Sequence, residues 1–176
     1  MQQKNRRMLL GMFAVAFLTL GSSYALFYLA REGGVWGTTN HGAFVDPPLT
    51  VAELDLAGDV GVVLTEAGTW WLWVVAPGVC EADCEHAVHQ LRQLQVLLNK
   101  DSDRVQRALV TRADVRPAVL DRYPGLVHLR GTAAELREGV YIVDPIGNLV
   151  LFYPLSDAGK PVLEDLKKLL KLSQIG

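Results

Sequence analysis

The sequence predicts an α/β domain behind a single N-terminal membrane-spanning helix. Three observations predict it. Residues 8–30 form an apolar run without a charge. The chain beyond it carries patterns in the order strand, helix, strand, helix, strand hairpin, helix. The only two cysteines, Cys80 and Cys84, stand where the first long strand passes into the first long helix.

The run MLLGMFAVAFLTLGSSYALFYLA has 23 residues. At about 1.5 Å per residue it crosses the roughly 30 Å hydrocarbon core of a bilayer with some tilt. Gly11, Gly21, Ser22 and Ser23 are compatible with a membrane helix, and Tyr24 and Tyr28 suit its far interface. Lys4, Arg6 and Arg7 precede the run, which places residues 1–7 in the cytoplasm and the rest outside. Ser23-Tyr24-Ala25 has the small-x-small look of a signal-peptidase site. The apolar run continues past it, however, and exceeds the usual 7–15-residue signal core, so an uncleaved anchor is expected.

Residues 31–58 read as a linker, because REGGVWGTTNHGAFVDPPLT is rich in Gly, Pro, Thr and Asn, and residues 59–176 read as one domain. Within that domain VGVVL, residues 60–64, predicts a short strand turning at Glu66-Ala67-Gly68. TWWLWVVA, residues 69–76, is aromatic and β-branched, as a buried central strand should be. Trp71 and Trp73 share one of its faces and Trp70 lies on the other. Pro77-Gly78 ends it. Residues 81–99 predict a helix, since Cys84, Val88, Leu91, Leu94 and Leu98 recur at spacings of three and four. VQRALVT, residues 105–111, is the next strand, and 114–122 a short helix closed by Tyr123-Pro124-Gly125. Residues 126–129 suggest a short strand and 132–137 a helical turn or two. Residues 140–154 carry two apolar runs around Asp144-Pro145-Ile146-Gly147-Asn148, a hairpin signal. Residues 161–173 start with Pro161 at the favoured first helical position and place Val162, Leu163, Leu166, Leu169 and Leu170 on one face.

Beyond residue 30 the chain carries 14 basic and 19 acidic residues. A mildly acidic domain without a basic patch argues against nucleic acid as a partner. No paired-carboxylate, Ser-His-Asp or Gly-rich phosphate motif appears.

Two cysteines four residues apart close too short a loop to staple distant elements. Cys80 falls just before the helix or at its N-cap and Cys84 in its first turn. The two sulfurs can therefore meet over one turn. The helix N-terminus favours thiolate at this position, while Asp83 and Glu85 partly oppose it. This setting favours thiol exchange or binding of a soft metal over two inert core residues. Cys80 is expected to be exposed and to act as the attacking thiol, with Cys84 resolving.

The strand, Pro-Gly, Cys80-x-x-x-Cys84 and long helix, followed by a strand ending in Asp144-Pro145-x-Gly147, resemble the Sco/SenC family over roughly residues 60–175. Thr38-Thr39-Asn40-His41-Gly42, the run Lys100-Asp101-x-Asp103-Arg104-Val105-Gln106-Arg107, and Tyr141-Ile142-Val143-Asp144-Pro145 also resemble small proteobacterial membrane proteins encoded among oxidase assembly genes. The resemblance implies a thioredoxin-like fold. It further implies a role in delivering copper to cytochrome c oxidase, or in keeping its copper-site cysteines reduced. Oxidase subunits or other assembly factors would be the partners, and the location would be the inner membrane with the domain in the periplasm. Sco proteins add a distal His to the two thiolates, about eight residues before the Asp-Pro turn, where this chain has Glu135, Leu136, Arg137 and Glu138. His86 and His89 lie about 200° and 140° around the helix from Cys84 and point away. His41 reaches the sulfurs only by folding back. His128 is the remaining candidate third ligand for Cu(I) beside Cys80 and Cys84. The proline that thioredoxins place before the later strand is also missing from Leu136-Arg137-Glu138-Gly139, which implies a dedicated role instead of general oxidoreductase activity. The alternative is a non-catalytic interaction module of the oxidase assembly machinery, with structural cysteines.

Overall fold

The computed structural model describes residues 2–31, 39–54, 56–58, 68–112, 115, 117–131 and 136–173. The chain divides into two units, Met1–Thr39 and Asn40–Gly176. The first unit is helix α1, Gln2–Arg31. Its segment Asn5–Ala30 is long and apolar enough to cross a membrane and buries none of its side chains within the chain. Its polar groups are turned back onto the helix: the Thr19 hydroxyl donates to the Ala16 carbonyl and the Ser22 hydroxyl to that of Thr19, both at 3.0 Å. Such internal satisfaction is what a helix in hydrocarbon requires.

The second unit is built on one seven-stranded sheet. Its strands are β1 (Ala43–Thr50), β2 (Leu56–Gly58), β3 (Trp70–Ala76), β4 (Val105–Thr111), β5 (Leu126–Gly131), β6 (Gly139–Val143) and β7 (Asn148–Tyr153). The spatial order is β1-β7-β6-β3-β4-β5-β2. β3, β4 and β5 run parallel, and the other pairings are antiparallel. The helices are α2 (Ala82–Leu97), α3 (Pro117–Arg122) and α4 (Lys160–Leu172).

From β3 onward the observed order of elements is the expected one. β3 is buried at every position, as expected of a strand with neighbours on both edges and packing on both faces. The two crossovers, β3–α2–β4 and β4–α3–β5, step the same way across the sheet, so right-handed connections bring both helices to one face. There Trp70, Leu72, Val74, Leu109 and Ile142 pack with Cys84, Val88, Leu91 and Leu94 of α2 and Val162, Leu166 and Leu170 of α4. The other face gathers Trp71, Trp73, Val75, Val110, Tyr141 and Val143 with Val51, Leu54 and Leu136. The tryptophans thus divide between the faces as strand periodicity requires.

The stretch read as a linker is corrected from Ala43 onward, because β1 and β2 pair into the sheet. Both are edge strands. Pro47 and Pro48 fall where the β1–β7 register shifts between Phe44 and Leu49, a place where missing backbone donors are tolerated. Mostly exposed side chains leave β1 without an apolar alternation, so its sequence resembles a loop. The strand expected at 60–64 lies outside the described residues, as does the part of the expected helical turn at 132–135. Leu136–Glu138 is not helical.

The Asp144-Pro145 turn is held by its own carboxylate. Asp144 Oδ1 accepts from the backbone N–H of Ile146 and Asn148, and Oδ2 from the Asn148 amide, an Asx turn. At the other end of β6, Gly139 has φ +155°, and a Cβ there would run into the Tyr153 carbonyl oxygen. Gly139→Ala is expected to destabilise the domain by about 2–3 kcal/mol, measured as a shift in the urea unfolding midpoint at unchanged slope.

Candidate functional site

β3 delivers its chain at the sheet's carboxyl end. Pro77-Gly78-Val79 leaves the strand, Cys80 follows, and Glu81 is the extended N-cap residue of α2. Cys84 lies in the first helical turn, beside Asp83 and Glu85. The two cysteines are joined in a disulfide with their Cα atoms 5.2 Å apart. The sequence thus located the pair correctly relative to strand, helix and each other. An open α/β sheet places its reactive groups at this same carboxyl end.

The expected exposure of Cys80 is corrected. Cys80 is 4% and Cys84 2% exposed, and both belong to the core packed under α2. The residues around Cys80 are not similarly covered: Gly78, Glu81 and Asp83 are exposed and Val79 is 61% exposed. Cys80 precedes the helix, whereas Cys84 is set in a hydrogen-bonded helix. The sequence showed Cys84 on the apolar stripe. Nothing in its local pattern revealed that the turn folds Cys80 inward.

The histidines have other partners. His86 and His89 are exposed and engage Gln90 and Gln93 of their own helix at 3.2 and 3.0 Å. His41 pairs with Glu164 at 2.9 Å. His128, on β5, has its Nε2 2.8 Å from the Thr111 hydroxyl, and burial lowers its pKa. No group of three His, Cys, Asp or Glu that could hold a metal ion occurs among the described residues. His128, the expected third ligand beside Cys80 and Cys84, is engaged by Thr111 and is not gathered into such a group among the described residues. In the stretch before β6, Arg137 is fastened. Tyr141 Oη accepts the Arg137 N–H at 3.0 Å and donates to its carbonyl at 3.1 Å, and the Arg137 guanidinium lies 4.4 Å from the Phe152 ring centre. The chemistry this leaves is that of a two-sulfur centre: a closed disulfide, or two thiols after reduction.

A mixed sheet with two parallel crossovers, a terminal hairpin and helix, and a cysteine pair at the start of the first long helix define a thioredoxin-like α/β domain. The chain belongs to the family described as transmembrane-like, thioredoxin-like, C-terminal domain, whose profile matches residues 70–173. Among solved structures, it is similar in fold to apo Sco1 from Thermus thermophilus, with 22% identity and a TM-score of 0.57 over 76% of this chain and 98% of that one. Yeast Sco1 is similar at 18% identity and a TM-score of 0.50, over 63% of this chain and 85% of that one. No curated protein matches the sequence.

Proposed function

We propose that this is a membrane-anchored thiol–disulfide exchange protein that serves cytochrome c oxidase assembly through Cys80 and Cys84. The observation that carries the proposal is the closure of the two sulfurs at the carboxyl end of β3 and the start of α2. In the exchange, a partner thiolate attacks one sulfur and forms a mixed disulfide, and the second cysteine leaves as a thiolate. The partner's second thiolate then attacks the mixed bond. The partner ends with a disulfide and this protein with two thiols, and the reverse sequence reduces a partner disulfide. The charge of α1 supports a cytoplasmic N-terminus and a periplasmic domain, where a dithiol can oxidise.

Copper handling belongs to the reduced state of the same centre. With two thiolates, and no third ligand gathered with them among the described residues, the residues suit a transient two-sulfur Cu(I) complex, with the metal as cargo. The domains follow the same reading: residues 1–7 cytoplasmic, 8–30 in the membrane, and the remainder outside.

A Cys80→Ser, Cys84→Ser double variant is expected to lose oxidase assembly in cells while its membrane level stays unchanged. Retained assembly would favour a non-catalytic interaction module with structural cysteines. The reduction potential of the purified pair provides an independent check: a value near the periplasmic poise agrees with exchange, and one far below about −300 mV with a structural bridge.

A further inference from the structure

Toward the amino-terminal end of β4, away from the disulfide, Arg107 is 5% exposed. Its Nε donates to Gln95 Oε1 at 2.7 Å and its Nη2 to the Pro124 carbonyl at 3.1 Å. Nη1 is buried with no acceptor among the described residues, and no carboxylate there forms an ion pair with this guanidinium. Gln95 is itself fixed, because its amide donates to the Val105 carbonyl at 2.6 Å, and this turns its oxygen to Arg107. Arg107 lines a cleft of about 410 Å³ with Arg92, Gln95, Val96, Ser102 and Asp103. The second cation opposes the first: desolvation and then Arg92 lower the Arg107 pKa.

Among the described residues this buried guanidinium is held only by neutral acceptors, with another guanidinium nearby, and lacks the counter-charge that buried ions normally have. An oxyanion would supply it, and planar guanidinium forks suit phosphate. The cleft is larger than a bare phosphate, and Val96, 70% exposed, gives it an apolar wall. Asp103, exposed on the rim and hydrogen-bonded by the Ser102 hydroxyl at 3.4 Å, is the acidic residue among the described lining and opposes an anion. We propose that this cleft binds a phosphoester, with its phosphate beside Arg107 and Arg92 and its organic part along Val96.

The full-length chain in uncharged detergent micelles should bind inorganic phosphate saturably in calorimetry at constant ionic strength set with chloride. Arg92→Gln, on an exposed side chain, should weaken binding roughly 10-fold, the order expected for one charge-assisted contact. Arg107→Gln should weaken it at least as much, and Asp103→Asn should tighten it. The source of the ligand is read in nanodiscs: phosphatidylglycerol that raises the apparent phosphate constant relative to phosphatidylcholine identifies a lipid headgroup, and equal constants identify a soluble phosphoester. Absence of saturable binding up to about 50 mM phosphate, or affinity unchanged in Arg92→Gln, overturns the proposal. The Arg92 variant keeps the test open should Arg107→Gln fail to fold.

Discussion

Asp165→Ala is expected to cost the domain about 3 kcal/mol of stability, a large part of what a domain of this size has. Asp165 is 2% exposed in the middle of α4. Its Oδ2 accepts from the backbone N–H of His41 at 2.5 Å and of Gly42 at 3.0 Å, and from the Tyr153 hydroxyl at 2.9 Å, while Oδ1 accepts from Lys168 at 3.2 Å. Removing the carboxylate strands the Gly42 donor and the Tyr153 hydroxyl in the interior. Position 42 also has no room for a side chain, since a Cβ there would lie 2.5 Å from the Tyr153 ring. Burial pushes the Asp165 pKa up, and the donors from Gly42, Tyr153, His41 and Lys168 more than offset this, so the net shift is downward. A carboxylate with a lowered folded pKa stabilises the fold fully above its unfolded value, about 3.9, and loses that contribution as pH falls through the folded value. Urea unfolding should therefore show the Asp165→Ala deficit in full at pH 7 and a smaller one once the pH falls through the folded pKa. The His41 ring is a useful contrast. Its pair with Glu164 is half-exposed on both sides, where such pairs contribute less than about 1 kcal/mol, so His41→Ala should leave stability nearly unchanged. An equal loss in both variants would sink the carboxylate latch.

This latch also shows what the sequence could and could not disclose. Apolar periodicity placed β3, α2, β4, the β6–β7 hairpin and α4, because each buries a full face and must repeat its apolar residues at the spacing of its own backbone. Thr38-Thr39-Asn40-His41-Gly42 stood out only as a shared stretch within an expected linker. Its role depends on Asp165, more than a hundred residues away, and an N–H donated to a distant carboxylate leaves no local pattern. β1 was hidden for a related reason: an exposed edge strand interrupted by two prolines has neither alternation nor uninterrupted pairing. The candidate site was legible to the extent that it is local. Cys80, Cys84, the preceding Pro-Gly and the helical stripe sit within a few turns of one another, so their adjacency followed from spacing. The burial of Cys80 did not, because it depends on how the turn after β3 packs beneath α2 and against the sheet. Arg107 was visible as a charge in a strand and as the end of a shared run; that no counter-ion meets it among the described residues is a property of three converging elements.

Burial of the disulfide leads to the last expectation, a split in behaviour between its two cysteines. With Cys80 only 4% exposed, reduction of the native disulfide by dithiothreitol should run roughly 100-fold slower than in the unfolded chain, because attack waits on an opening that costs about 3 kcal/mol. The cheaper opening lies on the Cys80 side. Val79 and Glu81 flank it in exposed positions, and peeling back the turn leaves α2 intact. Exposing Cys84 requires unwinding a helix start where the Glu85 N–H donates to the Glu81 carbonyl at 2.9 Å, and separating Cys84 from the core that also holds Ala87 and Val88. A partner thiolate should therefore bond to Cys80, with the Cys84 thiolate leaving toward the helix N-terminus, whose field favours negative charge. Cys84→Ser should then trap a mixed disulfide through Cys80, visible as a reducible band in non-reducing electrophoresis of membranes, whereas Cys80→Ser should trap little. Native reduction as fast as in denaturant would show that the turn does not shield the bond. Preferential trapping through Cys84 would reverse the assignment of attacking and resolving sulfur.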